Sequence, residues 1–245
     1  MGGKGIFGAQ AGSWGRSLGD YLAAHLWPEQ HCLLCDAPAG TDALCPACLG
    51  DLPPLPLAHC PRCALPSPAG QICGRCLADP PAFDQTLACW SYAYPLDGLI
   101  HALKYGHQLP VARLLGEALT HLPRPDAPID LLLPMPLSDG HLRDRGFNQA
   151  LEIARPVART WDLSLALDLC QRVRETAPQA GLNRRERQRN VRHAFTCQKA
   201  LQGQHVLVVD DVMTTGATLN ELARTLKQAG AGSVTALVCT RALPQ

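Results

Sequence analysis

The chain has 245 residues, 47% hydrophobic and 18% charged, a balance that supplies a core and excludes extended disorder. Its net charge of +1 excludes a uniformly polycationic nucleic-acid binder, so any such role must rest on a local patch. No apolar run approaches the roughly 18 residues that span a bilayer, and the Gly-rich stretch from Met1 to Gly19 lacks the apolar region of an export signal, so the expected location is cytoplasmic with no integral membrane segment.

Residues 1–30 read as a tail and a short helix, with Leu18, Leu22 and Leu26 at helical spacing from about Arg16 until Pro28 stops it. Residues 31–80 hold eight of the twelve cysteines, as four CxxC pairs: Cys32/Cys35, Cys45/Cys48, Cys60/Cys63 and Cys73/Cys76. Adding 28 to each number of the first quartet gives the second, so the segment is a duplicated pair of knuckles. Two sulfurs on one tight turn share a metal, and two turns close a tetrahedral thiolate shell with no open position for chemistry. The expectation is two structural Zn²⁺ ions. A disulfide framework is the alternative, disfavoured in a reducing compartment. The metal partners stay open between sequential pairing within each quartet and a crossed pairing of Cys32/Cys35 with Cys60/Cys63. His25, His31 and His59 flank the knuckles and are read as packing or solvated side chains, and Cys89, Cys170, Cys197 and Cys239, which lack paired spacing, as small buried hydrophobes. A segment so rich in proline buries too little apolar surface to fold without metal.

From Pro80 and Pro81 onward, residues 81–245 alternate. Strands are expected at Thr86 to Ala93, Ile129 to Leu133, Ser164 to Leu169, His205 to Val209 and Val234 to Cys239. Helices are expected at Leu96 to Tyr105, Val111 to Leu122, Asn148 to Trp161 and Ala217 to Ala229. Continuous apolar strands separated by helices predict an α/β fold with a mostly parallel sheet covered on both faces. The most informative stretch is His205 to Thr218, where an apolar strand ends at Asp210 and Asp211 and a Thr214-Thr215-Gly216 turn opens directly into a helix at Ala217 and Thr218. Backbone N–H groups, hydroxyls and the positive helix end converge there as an anion site. Paired carboxylates at a strand's C-terminal end accept hydrogen bonds from vicinal sugar hydroxyls. The combination describes a binder of ribose 5-phosphate; the plainer alternative is a turn with a helix cap. Between the strands, Arg172 to Arg192 carries seven Arg against Glu175 and Glu186. That run reads either as a solvated face or as a grip on single-stranded DNA phosphates, with Phe147, Phe195 or Tyr105 as stacking surfaces.

The segment from His205 to Thr218 resembles the phosphoribosyl pyrophosphate motif of type I phosphoribosyltransferases. Together with the CxxC array, Leu103-Lys104-Tyr105, Pro134 to Leu137, Arg145 to Gln149, and Gln179 with Arg185 and Asn190, the chain from about Leu22 to Thr240 is similar to the ComF family of competence and DNA-utilisation proteins. Family members commonly have Val where this chain has Met135. The resemblance implies a type I phosphoribosyltransferase-like sheet flanked by helices with an N-terminal double zinc ribbon. It also implies Asp210 and Asp211 on the ribose hydroxyls, Thr214, Thr215, Gly216, Ala217 and Thr218 on the 5-phosphate, and a pyrophosphate loop containing Met135 and Pro136. The corresponding family loop closes over the site, which would bring Arg185 and Arg189 onto the leaving diphosphate. Two hypotheses follow. One is a Mg²⁺-dependent phosphoribosyltransferase of unspecified acceptor that acts in DNA uptake or the use of DNA as nutrient. The other is a non-catalytic accessory protein that binds single-stranded DNA, keeps the pocket, and docks a competence ATPase or translocase on its zinc ribbon.

Overall fold

The computed structural model describes residues 30–174 and 189–244. The chain divides into two compact units, residues 1–50 and 51–245, so the segment 31–80 spans both. The short helix expected from Arg16 to Leu26, and His25 with it, lie outside the described residues.

In the first unit, β1 (Gln30–His31) and β2 (Pro38–Gly40) pair antiparallel around the Cys32/Cys35 knuckle, and α1 (Pro46–Gly50) follows Cys45. The Cys32 N–H donates to the Ala37 carbonyl at 2.8 Å and the Asp36 N–H to the Cys32 carbonyl at 2.9 Å, with Asp36 left-handed at φ 62°. Each feature recurs 28 residues later in the second unit. The Cys60 N–H donates to Leu65 at 2.8 Å, the Ala64 N–H to Cys60 at 2.8 Å, and Ala64 has φ 54°. A five-residue helix, α2 (Gly74–Ala78), follows Cys73. The repeat in sequence is therefore a repeat of backbone geometry.

Each quartet closes on itself: the four Sγ atoms of Cys32, Cys35, Cys45 and Cys48 lie within 4.8 Å of one another, as do those of Cys60, Cys63, Cys73 and Cys76. The Cys35–Cys45 and Cys63–Cys73 sulfurs are both 3.7 Å apart. A tetrahedron built on Zn–S bonds of about 2.3 Å has edges of about 3.8 Å, so both quartets fit zinc and the pairing is sequential, not crossed. The first cysteine of each quartet is the most acidic in character. Burial pushes the Cys32 thiol up, but backbone N–H groups of Cys45, Leu34 and Cys35 bring it down to about 6. Cys60, likewise opposed by burial, is brought to about 7 by N–H groups of Cys73, Cys63 and Arg62, the first of them 3.3 Å from its sulfur. His31 and His59 bond backbone carbonyls through Nδ1, of Asp36 at 2.8 Å and Pro56 at 2.7 Å, and belong to neither quartet.

The core of the second unit is a four-stranded parallel sheet in the order β3 (Gln85–Ser91), β8 (Ser233–Arg241), β7 (His205–Met213), β4 (Leu131–Pro134). The apolar runs that predict strands are buried because helices cover the sheet. The helices α3 (Leu96–Gly106) and α4 (Leu109–Thr120) follow β3, and α5 (Asp139–Arg145) with α6 (Gln149–Trp161) follow β4. The α6 helix packs on β4, β7 and α4. Gly116 permits that last contact, since a Cβ there would strike the Ile153 carbonyl and the Pro156 ring. After β7, α7 (Ala217–Gln228) packs on β8. A separate antiparallel pair joins β5 (Cys170–Arg172) and β6 (Phe195–Cys197).

The expected strand from Ser164 to Leu169 is reduced to one parallel bridge, Leu165 with Leu132. The Leu132 N–H donates to the Ser164 carbonyl and the Ala166 N–H to the Leu132 carbonyl, after which a turn from Ala166 to Leu169 leads the chain into β5. The second ribbon is part of the sheet's core: Cys60, Cys63, Ala64 and Cys76 sit in one buried cluster with Phe83, Ala88, Val208 and Leu222. Its approach also covers the edge of β3. Pro53 and Pro61 lack N–H groups but their carbonyls accept from Ser91 and Thr86, each at 2.9 Å. A proline-rich segment can thus block an open sheet edge without offering a further donor row.

Elemental analysis should return about two zinc per chain. Because Cys60 is both a metal ligand and a core side chain, Cys60→Ser should lower stability in urea by about 2 kcal/mol or more. A variant as stable as wild type would remove the second ribbon from the core.

Candidate functional site

The carbonyl end of β7 supplies the acidic pair. Side chains alternate along a strand, so Asp210 and Asp211 point to opposite faces. Asp211 is buried and its Oδ2 lies 2.7 Å from Lys104 Nζ, in the last turn of α3. Asp210 Oδ1 accepts the Asp211 N–H at 2.9 Å. Burial, then the charge of Asp211, raise the Asp210 carboxyl to about 7, against the opposing pull of Lys104 and Arg172. Burial pulls the Lys104 ammonium down, but the ion pair with Asp211 leaves it above its ordinary value.

Two arginines complete the cluster. Arg145, the last residue of α5, lies over the Tyr105 ring at 5.4 Å, and Arg172 of β5 over Phe195 at 5.7 Å. Burial lowers Arg172, opposed by the attraction of Asp210 and reinforced by the repulsion of Arg145. Arg145 also disfavours the charge on Lys104. Two of these cations, Lys104 and Arg172, are drawn to the carboxylates, and Arg145 stands close enough to repel both, at the end of the sheet where parallel α/β folds bind ligands. In the sequence Arg172 opens the Arg-rich run read as a solvated face or a grip on DNA phosphates, while Lys104 and Arg145 carry no individual role. Lys104 and Arg145 sit in stretches already singled out, and the missing signal was tertiary: α3, α5 and β5 are separate segments that meet only in the fold.

The Met135-Pro136 loop lies beside this cluster. The Met135 N–H donates to the Val209 carbonyl at 2.8 Å, one residue before the acidic pair, and the Met135 carbonyl accepts from Asn148 Nδ2 at 3.1 Å. Asn148 also caps α6, its Oδ1 accepting the Ala150 and Leu151 N–H groups. One side chain thus ties the loop to a helix start. The Thr214-Thr215-Gly216 turn follows directly from β7. Gly216 has φ 79°, a left-handed conformation that favours glycine, and a Cβ there would also have to displace the Met213 methyl, 2.7 Å away. Ala217 begins α7, its N–H donating to Thr215 Oγ1 at 3.3 Å, and Thr218 follows in the first turn.

Arg241, at the end of β8, was not anticipated either. It is 1% exposed, and its guanidinium donates to the carbonyls of Cys63 at 2.7 Å, Met213 at 2.8 Å and Ala242 at 2.7 Å, and to that of Thr214. Burial brings it down to about 10, and the Cys63 thiolate opposes that shift. A charge ending an otherwise apolar strand was the available signal.

The proposed loop arginines separate. Arg185 lies outside the described residues, as do Arg184, Arg187 and Gln179. Arg189 lines a cavity of about 630 Å³ with Arg75, Arg192, Arg224 and the Thr215–Ala217 turn, and so flanks that turn. Asp79 and Glu221 share that cavity.

A parallel sheet carrying an acidic pair and a Thr/Gly helix entrance, joined to cysteine quartets that fit zinc, defines a double-zinc-ribbon protein of the phosphoribosyltransferase class. Residues 22–77 match the family model of the double zinc ribbon domain, and residues 148–242 that of the phosphoribosyl transferase domain. The DNA utilization protein YhgH of Escherichia coli (strain K12) is 34% identical over 165 residues, 63% of this chain and 71% of the relative. That of Salmonella typhi is 36% identical over 166 residues, with the same shares. Competence protein F of Haemophilus influenzae is 31% identical over 163 residues, 61% of this chain and 69% of the relative. The chain belongs to this ComF family of competence and DNA-utilisation proteins. No helix among the described residues is long and apolar enough to cross a membrane.

Two outcomes test the site. The unfolded Asp210 titrates near 3.8 and the folded one near 7, so between these values the folded state holds a proton that the unfolded state has lost. Its contribution to stability is full below about pH 4 and is lost as pH rises through 7. Asp210→Asn should therefore stabilise the ligand-free protein by a few kcal/mol at pH 8 and by little at pH 4, read from urea midpoints; an equal effect at both pH values would contradict the burial argument. Arg241→Lys, which keeps charge but not the fork, should cost about 3 kcal/mol through carbonyls left unpaired.

Proposed function

We propose that the protein binds phosphoribosyl pyrophosphate with Mg²⁺ and transfers its phosphoribosyl group, within the DNA-utilisation role its relatives' names state. The observation that supports this most directly is the placement of the Asp210/Asp211 pair against Lys104, Arg145 and Arg172, beside the Thr214 to Thr218 helix entrance.

The ribose hydroxyls donate to Asp210 and Asp211, and the 5-phosphate is received by the Thr214 to Thr218 turn and the positive end of α7. The diphosphate on C1 faces Lys104, Arg145 and Arg172 beside the Met135-Pro136 loop. Transfer breaks the C1–O bond, placing charge on the departing diphosphate as positive charge develops on the sugar. The cations stabilise the first and the carboxylates the second. Such a reaction asks mainly for positioning and charge neutralisation. Mg²⁺ would be held chiefly by phosphate oxygens and water, with Asp210 the nearer free carboxylate because Asp211 is paired to Lys104, and it supplies further neutralisation of the diphosphate.

Calorimetry of the zinc-loaded protein with phosphoribosyl pyrophosphate and Mg²⁺ tests the reading. Lys104→Met and the Asp210→Asn, Asp211→Asn double variant should each bind about tenfold or more weakly while remaining folded. Diphosphate release with a panel of acceptors measures turnover. Unchanged affinity in both folded variants would assign the ligand elsewhere.

A further inference from the structure

The β5–β6 pair sets Cys170 directly opposite Cys197. The Gln198 N–H donates to the Leu169 carbonyl at 2.8 Å and the Val173 N–H to the Ala194 carbonyl at 2.9 Å. Bonded pairs alternate in an antiparallel ladder, so Cys170 and Cys197 occupy a non-hydrogen-bonded pair, where Cα atoms approach to about 4.5 Å. That separation lies within the range a disulfide bridges, about 4.4–6.8 Å. The two Sγ atoms are 2.6 Å apart, well inside the 3.7 Å that separates the Cys35–Cys45 and Cys63–Cys73 sulfurs of the metal quartets. Neither Cys170 nor Cys197 belongs to a quartet, and the site described above uses neither. Cys170 is buried and Cys197 half-buried, so Cys197 is the more accessible residue of the pair.

We propose that Cys170 and Cys197 are a reversible disulfide pair, oxidised by a low-molecular-weight disulfide such as that of glutathione. The Cys197 thiolate attacks one sulfur of the reagent and releases one glutathione thiolate. The Cys170 thiolate then attacks the Cys197 sulfur of the mixed disulfide and releases the second. The protein loses two protons and two electrons, and one reagent disulfide becomes two thiols. Arg172 and Phe195 form the next non-bonded pair of the same ladder, on the same face as the cysteines. The bond therefore pins the residue pair that carries Arg172 into the anion cluster. That consequence rests on the proposed anion site; the bond itself does not.

The full, zinc-loaded chain is equilibrated with oxidised or reduced glutathione, blocked with N-ethylmaleimide, and mapped by protease digestion and mass spectrometry. The expected result is a Cys170–Cys197 linked peptide in the oxidised sample, lost on reduction, with zinc content unchanged and a thermal midpoint several degrees higher in the oxidised form. Cys170→Ala should abolish both the linked peptide and the rise in midpoint. Maleimide on both cysteines of the folded, oxidised sample, or linkage of either to Cys89 or Cys239, overturns the proposal. Calorimetry with phosphoribosyl pyrophosphate on the two forms separates the parts. Severalfold tighter binding by the oxidised form is expected; equal binding by two forms that both bind removes the coupling to Arg172, and no binding by either counts against the anion site while the linked peptide still decides the bond.

Discussion

The buried guanidinium of Arg241 is the interaction on which the second unit depends. A cation with almost no exposure needs acceptors in place of water, and here Nε and Nη1 find four backbone carbonyls: one from the ribbon, two from the end of β7 and its turn, one from its own neighbour. Carbonyl groups cannot move without their backbone, so the guanidinium sets the distance between the Cys63 knuckle and the Thr214 turn. The ribbon thereby becomes part of the Thr214 turn's support: a metal held by the second quartet would fix Cys63, the Cys63 carbonyl accepts from Arg241, and Arg241 donates to the Thr214 carbonyl. Arginine is needed because a lysine offers no rigid fork with which to span carbonyls from separate segments.

The acidic pair shows the opposite economy. Asp210 sits where burial and a neighbouring carboxylate both disfavour its charge, and the cations that oppose this do not fully offset it. Such an arrangement weakens the fold at pH values where the carboxyl would otherwise ionise. Lys104, paired to Asp211 at 2.7 Å, holds a positive charge beside the pair. The protein spends stability at the pair and recovers it in the surrounding core of β7 and β8, where Val206 to Val209 and Val234 to Cys239 are sealed from water.

What could be read in the sequence was whatever one segment carries alone. The cysteine quartets, the apolar strands flanking Asp210 and Asp211, and the Gly216 turn are local patterns, and each folds as its spacing implies. The strand expected at Ser164 to Leu169 failed because its apolar content speaks of burial, whereas a ladder needs a partner, and only Leu165 finds one. The α5 helix has seven residues and β5 and β6 three each, too short for periodicity to register. Lys104 lies on the anticipated α3, Arg145 and Arg172 on the short α5 and β5, so their convergence belongs to topology. Arg189, by contrast, was legible as basic but not as to location: it lines the cavity along α7 that Phe195 also lines.

The duplicated ribbon shows how one local geometry can be held by different means. Position 36 of the first copy and position 64 of the second share a left-handed backbone, which costs an ordinary residue on the order of 1 kcal/mol. In the first copy the residue is Asp, a type that tolerates this conformation, and it is exposed, its carbonyl bonded to His31. In the second it is Ala, fully buried, where no side-chain hydrogen bond relieves the strain. Glycine would remove the cost but leave a methyl-sized gap in the cluster that joins Cys60, Cys76 and Phe83. The alanine methyl fills that core, and the turn at this position aims the preceding carbonyl, that of Cys63, at Arg241. The same 28-residue unit thus ends in water in one copy and in the second unit's main electrostatic tie in the other.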